Sequence, residues 1–197
     1  MKRELQKDQP AIQLRQQPYL SLLAQPIRLA YLHALYLDDE TFKNVAVPYY
    51  IHPNSANPLV RAAMAPSLRG AALEQLLASQ PLTADMPILD LEQLYKDADD
   101  AFEALDTLLD DHKWFASVKD NQQQESDQDD ANTPKKQQEV PGMLDASVFA
   151  YTHVILTLFA FSSDASPAGR LRTSITGRSS LLDHHTRVAR QYYHSPR

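Results

Sequence analysis

Histidines and carboxylates are the residues of this chain that first suggest chemistry. The sequence contains 7 histidines and 25 acidic residues, and these side chains bind metals or move protons. His184 and His185 are adjacent, so on a helix they point about 100° apart and are poorly placed to bind one metal ion. No HExxH or similar three-ligand spacing accompanies them. The pattern therefore favours surface or core histidines over a metal centre.

Signatures of other chemistry are missing as well. The chain has no cysteine, no G-x-S-x-G elbow, no P-loop and no GxGxxG. His153 offers a buried base, but a core histidine bonded to a neighbouring carbonyl is the favoured interpretation. The acids of residues 92–111 are explained by a solvated helix face. We therefore expect no catalytic residue, no cofactor, no metal and no enzyme activity.

Asp145 lies near the start of the most apolar stretch, VPGMLDASVFAYTHVILTLF. With Gly142 as the N-cap, Asp145 is the third helical residue, where its carboxylate accepts the cap's backbone N–H. Glycine has no side-chain oxygen to complete the capping box, and a helix capped by Asp145 itself is the alternative. The apolar part spans roughly 14 residues, short of the roughly 20 that cross a bilayer. It predicts the central core helix of a globular domain.

Composition and charge limit the protein class. With 197 residues, 43% hydrophobic and 22% charged, the chain is typical of a single globular domain. Its formal net charge of −6 argues against nucleic acid as a partner, which requires a basic face. The amino end mixes acids with bases and has no continuous apolar run, so it predicts neither a secretory signal nor a transit peptide.

Prolines and caps predict where helices begin. Pro26 fits the first position of an amphipathic helix. Asn57 and Ser67 are predicted caps of two short, consecutive helices. Residues 90–111 predict a long helix with an acidic outer surface, because its apolar residues recur at helical spacing. The polar residues 117–139 predict a disordered acidic insertion.

Two further helices are predicted near the carboxyl end. One begins at Ser166, and the other carries a capping box of Ser180 and Asp183. Six arginines give this region a basic character that suits anionic lipid headgroups or an acidic partner, although a solvated helix face explains each of them more simply. These are Arg170, Arg172, Arg178, Arg187, Arg190 and Arg197. Since strands and helices do not alternate anywhere, the predicted fold class is all-α.

The segment VAVPYYIHPNS predicts an extended connector, because two prolines interrupt its weak alternation. Aromatic and branched side chains on such a loop are candidates for binding a partner or substrate. Packing of these side chains into the protein's own core is the competing interpretation. The candidate residues are Val47, Tyr49, Tyr50 and Ile51.

A series of motifs resembles the carboxyl-terminal helical domain of glutathione transferase-like proteins. They are Leu108 and Leu109, the aromatic pair Trp114 and Phe115, and then Pro141, Leu144, Asp145 and Ala146. Within that superfamily, PYLSLLAQPIRLAYLHALYLDDE and PGMLDASVFAYTHVIL are similar to helices of the metaxins. Together with YIHPNSANPLVRAAM and the acidic insertion, they most resemble the fungal metaxin-related subunit of the mitochondrial sorting and assembly machinery.

The resemblance implies a glutathione transferase C-terminal-like helical bundle over residues 18–197, interrupted at 117–139 and preceded by a flexible segment 1–17. Serine or threonine usually stands where this chain has Gly142. No segment matches the thioredoxin-like half that holds most of the glutathione site, so we expect either a fragment or a lost domain, without transferase activity.

The resemblance also implies a function and partners. We expect a non-catalytic, peripheral subunit on the cytosolic face of the mitochondrial outer membrane, which binds β-barrel precursors and aids their insertion. Its partners are a membrane-embedded barrel subunit and a second metaxin-like subunit. A glutathione transferase-like enzyme fragment and a generic helical scaffold in a soluble complex are the alternatives.

Overall fold

The computed structural model describes residues 9–79, 89–110, 112–115 and 141–193, with side chains from Gln16 onward. Within these ranges the chain forms helices and turns without a strand, so the predicted all-α class is confirmed. The insertion predicted at residues 117–139 lies outside the described residues. The segment predicted to be flexible, 1–17, is described only from Gln9, where the first helix begins.

The first half of the chain begins with a nearly continuous helical rod. It consists of α1 (Gln9–Leu22), π1 (Leu23–Ile27), α2 (Arg28–Leu32) and π2 (His33–Leu37), where the π segments are wider turns with i→i+5 hydrogen bonds. The prediction that Pro26 starts a helix is wrong, because the rod passes through it. Proline removes one N–H donor from an α-helical ladder, and a π turn at that point shifts the register of the remaining bonds.

The predicted extended connector is also helical. Asp38 has an extended backbone and accepts a hydrogen bond from the Thr41 N–H at 2.9 Å. It thereby starts α3 (Asp39–Thr41), which continues as π3 (Phe42–Ile51) and a 3-10 turn (His52–Asn54). The prediction failed because Phe42 and Ile51 are buried, and tertiary packing decides the conformation of so short a segment.

Helix α4 (Pro58–Ala78) is one helix where two were predicted. Its predicted cap is confirmed, since the Asn57 Oδ1 accepts the Leu59 N–H at 2.9 Å. Ser67 caps nothing, because the helix runs through Pro66. Pro66 is exposed, so its ring and the carbonyl that it leaves unbonded face water, which lowers the cost of an internal proline.

The second half forms the centre of the bundle. It consists of α5 (Leu91–Leu109), α6 (Met143–Leu158), α7 (Pro167–Thr176), α8 (Ser179–Val188) and π4 (Ala189–Tyr193). The predicted apolar face of α5 is confirmed, with Phe102 and Leu105 fully buried. The predicted core helix α6 is confirmed as well, since Leu144, Val148 and Ile155 are fully buried.

The acids of α5 do more than face solvent, because they tie the last helices to the centre. Arg170 forms a two-pronged ion pair with Glu92 at 2.8 and 3.0 Å, and Arg178 binds Asp99 at 2.9 Å. The Asp106 carboxylate accepts the Leu181 N–H at 2.9 Å and so caps α8 from another helix. The predicted capping box of Ser180 and Asp183 is therefore wrong, because α8 has Arg178 at its N-cap.

Candidate functional site

The start of α6 is built around Asp145. Its Oδ2 accepts the backbone N–H of Gly142 at 2.8 Å, and Gly142 is the N-cap. The predicted placement of Gly142 and Asp145 is thus confirmed. Because glycine has no side chain, only this half of a capping box is formed.

The second carboxylate oxygen of Asp145 joins two other segments. Oδ1 accepts the backbone N–H of Phe115 at 3.0 Å and lies 3.0 Å from Nε2 of His184. Both side chains of the Asp145–His184 pair are fully buried. Trp114 and Phe115 approach the His184 ring edge-on, with centroids 5.9 and 5.3 Å away. Asp145 is therefore a structural junction, because its fully buried carboxylate joins the start of α6 to Phe115 and to His184 of α8.

A groove lies outside this junction, between the outer face of α6 and the segment formed by the end of α8 and π4. Its volume is about 670 Å³. Its lining is mostly apolar and consists of Pro141, Gly142, Asp145, Ala146, Phe149, Ala150, His153, Val154, Val188, Tyr192 and Tyr193. Tyr192 and Tyr193 are 54% and 69% exposed. Such exposed aromatic side chains around an apolar cleft are typical of a binding surface.

His153 stands on the wall of this groove, and the prediction that it is a core histidine is wrong because its side chain is exposed. It belongs to a ring cluster in which His153, His185 and Tyr193 stack on the buried Phe149. The Phe149 ring lies parallel to those of His153 and His185, with centroids 5.2 Å away in each case. Burial, with smaller contributions from His153 and His184, lowers the pKa of His185. His185 is therefore neutral at pH 7.

The candidate binding residues predicted from the sequence lie elsewhere, on π3. Ile51 is buried in the core, and Val47 and Tyr50 pack against that core. Only Tyr49 is exposed, at 63%. Core packing therefore explains three of the four, and none of them lines the groove.

Few of the described residues are candidates for acid–base catalysis or metal binding. No group of three or more His, Asp or Glu side chains there is placed to hold a metal ion. Burial raises the pKa of the Tyr31 and Tyr95 phenols, so both stay protonated. Arg170 and Arg178 line a polar cleft of about 920 Å³ but already bind acids of α5.

Comparison with known proteins gives no relative from which to transfer a function: no family model, no curated protein and no solved structure matches the chain. In the part of the chain that the structure describes, no helix combines the length and the apolar character needed to cross a membrane. The site must therefore be interpreted from its own geometry.

Proposed function

We propose that this chain is a non-catalytic binding protein whose groove between α6 and π4 holds an apolar, aromatic-containing segment of a partner. The groove itself is the observation that carries the proposal. Apart from Asp145, none of the described residues that line it is an acid, a lysine or an arginine. The Asp145 carboxylate is fully buried and matched by three hydrogen-bond donors, so the site selects an uncharged surface.

The shape of the lining suits an extended chain. Ala146 and Ala150 lie one helical turn apart on α6, and both are exposed. Their small side chains let another backbone approach closely, while Tyr192 and Tyr193 offer rings for side-chain contact. Aromatic anchors of this kind contribute most of the binding free energy in protein interfaces.

The sequence resemblance extends the proposal to a particular partner. Metaxin-like subunits of the mitochondrial sorting and assembly machinery receive β-barrel precursors at the outer membrane. A strand of such a barrel has one apolar face with aromatic residues near its ends, which fits the groove. On this proposal, the chain binds precursors from the cytosolic face, peripherally, beside a barrel subunit and a second metaxin-like subunit.

A peptide titration tests the groove directly. A barrel-strand peptide with alternating apolar and polar residues and an aromatic residue near each end is titrated into the protein, and calorimetry gives its Kd. Ala150→Arg places a charged side chain in the groove and is expected to weaken binding by at least about tenfold. Ala63→Arg, at an exposed alanine of α4, is the matched control and should bind like the parent protein. Equal affinities for the two variants would disprove the groove as the site.

A pull-down from mitochondria in mild detergent tests the particular partner. Recovery of a barrel assembly protein, lost with Ala150→Arg, supports the assembly-machinery proposal. Recovery of soluble partners alone would favour a generic helical scaffold. Retention on immobilised glutathione would favour a glutathione transferase-like enzyme fragment.

A further inference from the structure

The histidine pair of the ring cluster brings together two side chains that are remote in sequence. Nδ1 of His153, on α6, lies 3.2 Å from Nε2 of His185, on α8. The two imidazoles share a hydrogen bond, which one ring donates and the other accepts. This bond needs a protonated nitrogen on one ring and an unprotonated nitrogen on the other. When both nitrogens are unprotonated, the pair is a recognised set of ligands for late transition metals.

The distance between the two nitrogens is suited to a shared metal ion. Zn–N bonds are about 2.05 Å long, so two nitrogens 3.2 Å apart subtend an angle of about 100° at the metal, close to tetrahedral. The ion would replace the shared proton after a rotation of the exposed His153 ring. Magnesium and calcium prefer oxygen ligands and are not expected to bind.

The surroundings support this geometry. The Phe149 ring lies at 20° and 23° to the His185 and His153 planes, so the three rings stack and keep the two imidazoles beside each other. His153 is exposed, which leaves the remaining coordination positions open to water. No carboxylate in the described part of the chain forms an ion pair with either histidine.

We infer that His153 and His185 bind one late first-row divalent ion, of the Zn²⁺ or Ni²⁺ type, with water as the other ligands. The ion would join α6 to α8 beside the wall of the groove. This site does not depend on the proposed function, because its ligands and geometry are independent of any partner.

Titration with Zn²⁺ tests the site. Calorimetry on the full chain should show one equivalent of Zn²⁺ bound, and Co²⁺ should give a tetrahedral absorption spectrum. About 1 mM Zn²⁺ should raise the melting temperature by about 5 °C, because the ion binds only the folded pair. Mg²⁺ at the same concentration should raise it by less than about 1 °C.

Single variants separate this pair from other histidines. His153→Ala and His185→Ala should each weaken Zn²⁺ binding by at least about tenfold, and the double variant should be no weaker than either. His52→Ala, at an exposed histidine of the 3-10 turn, should bind like the parent. Circular dichroism without metal confirms that each variant is folded. Zn²⁺ binding that survives in His153→Ala, or that is lost only in His194→Ala, would overturn the inference, as would no binding at all.

Discussion

Replacing Asp145 by asparagine isolates the charge of the buried junction while keeping its shape. Among the described residues, Oδ1 accepts from Phe115 and faces His184, whereas Oδ2 accepts from Gly142 alone. An asparagine oriented with its oxygen at Oδ1 keeps two bonds and places its NH₂ group against the Gly142 N–H. It loses the helix cap, which contributes about 1 kcal/mol. The two retained bonds lose their charge assistance, at about 0.5–1 kcal/mol each.

The expected loss in unfolding free energy is therefore about 2–3 kcal/mol for Asp145→Asn. Urea unfolding followed by far-UV circular dichroism measures it. With a slope of about 2 kcal/mol/M, the midpoint should fall by about 1–1.5 M. Asp183→Asn, at an exposed aspartate of α8, is the matched control and should change stability by less than about 0.5 kcal/mol.

A double-mutant cycle with His184→Gln adds a second criterion. Because the two side chains touch in a fully buried site, their changes should not add, with a coupling of about 1–2 kcal/mol. If Asp145→Asn shifted the midpoint no more than Asp183→Asn did, the carboxylate would not be holding the three segments together. Additivity with His184→Gln would refute the pairing.

Three further predictions concern the bundle. Gly169→Ala should lower the unfolding free energy by about 3 kcal/mol, because the added Cβ would lie 1.9 Å from the Ser163 carbonyl oxygen. The control Gly70→Ala adds a Cβ with no atom within 4 Å and should raise the unfolding free energy by up to about 1 kcal/mol. Similar melting temperatures for the two variants would disprove the close approach at Gly169. Arg178→Met should lower the unfolding free energy by about 2 kcal/mol, since it loses its bonds to the Asp99 carboxylate and carbonyl, whereas exposed Arg190→Met should have little effect in the same urea titration. Burial lowers the pKa of His33, so the unfolded chain binds more protons than the folded one below the ordinary histidine pKa of about 6.5. The unfolding free energy should therefore fall as the pH drops from 7 to about 5, and it should fall less steeply in His33→Gln. An unchanged pH profile in that variant would count against a neutral buried imidazole.

Local sequence signals predicted those elements whose ends are set by adjacent residues. Asn57, Ser166 and Asp145 each bond a backbone N–H within three positions along the chain, which is the range that a sequence pattern can report. The periodicity of α5 was equally informative, because its apolar face is buried from Leu94 to Leu109.

Predictions failed where tertiary structure overrode a local preference. Pro26, Pro48 and Pro66 all lie inside helices. A π turn at Pro26 and at Pro48, and contact with water at Pro66, lower the cost of the hydrogen bond that each proline removes. Ser180 gave a plausible capping box, but Asp106 of α5 caps the helix from a distance of 75 positions along the sequence.

The groove could not be predicted from the sequence, because tertiary structure brings together residues that are far apart along the chain. His153 and His185 are 32 positions apart, and the adjacent pair His184 and His185 points to opposite environments, as its helical spacing predicts. Tyr192 and Tyr193, near the carboxyl end, were not among the binding residues predicted from the sequence. Adjacent side chains on a helix point about 100° apart, so the two neighbouring tyrosines are not both expected to face the core, and here both are exposed.

The Asp145 carboxylate also makes this fold well suited to rearrangement of the chain. Its two oxygens bind the backbone of Phe115 and of Gly142, which flank the segment 116–140, Phe115 directly and Gly142 one residue beyond Pro141. The two ends of that segment are therefore held at one point, whatever its length. Doubling the number of residues between two points that are held together changes the closure entropy by only about 0.6 kcal/mol. The position is consequently a natural place to graft another domain, exchange the segment for a short linker, or open new termini by circular permutation.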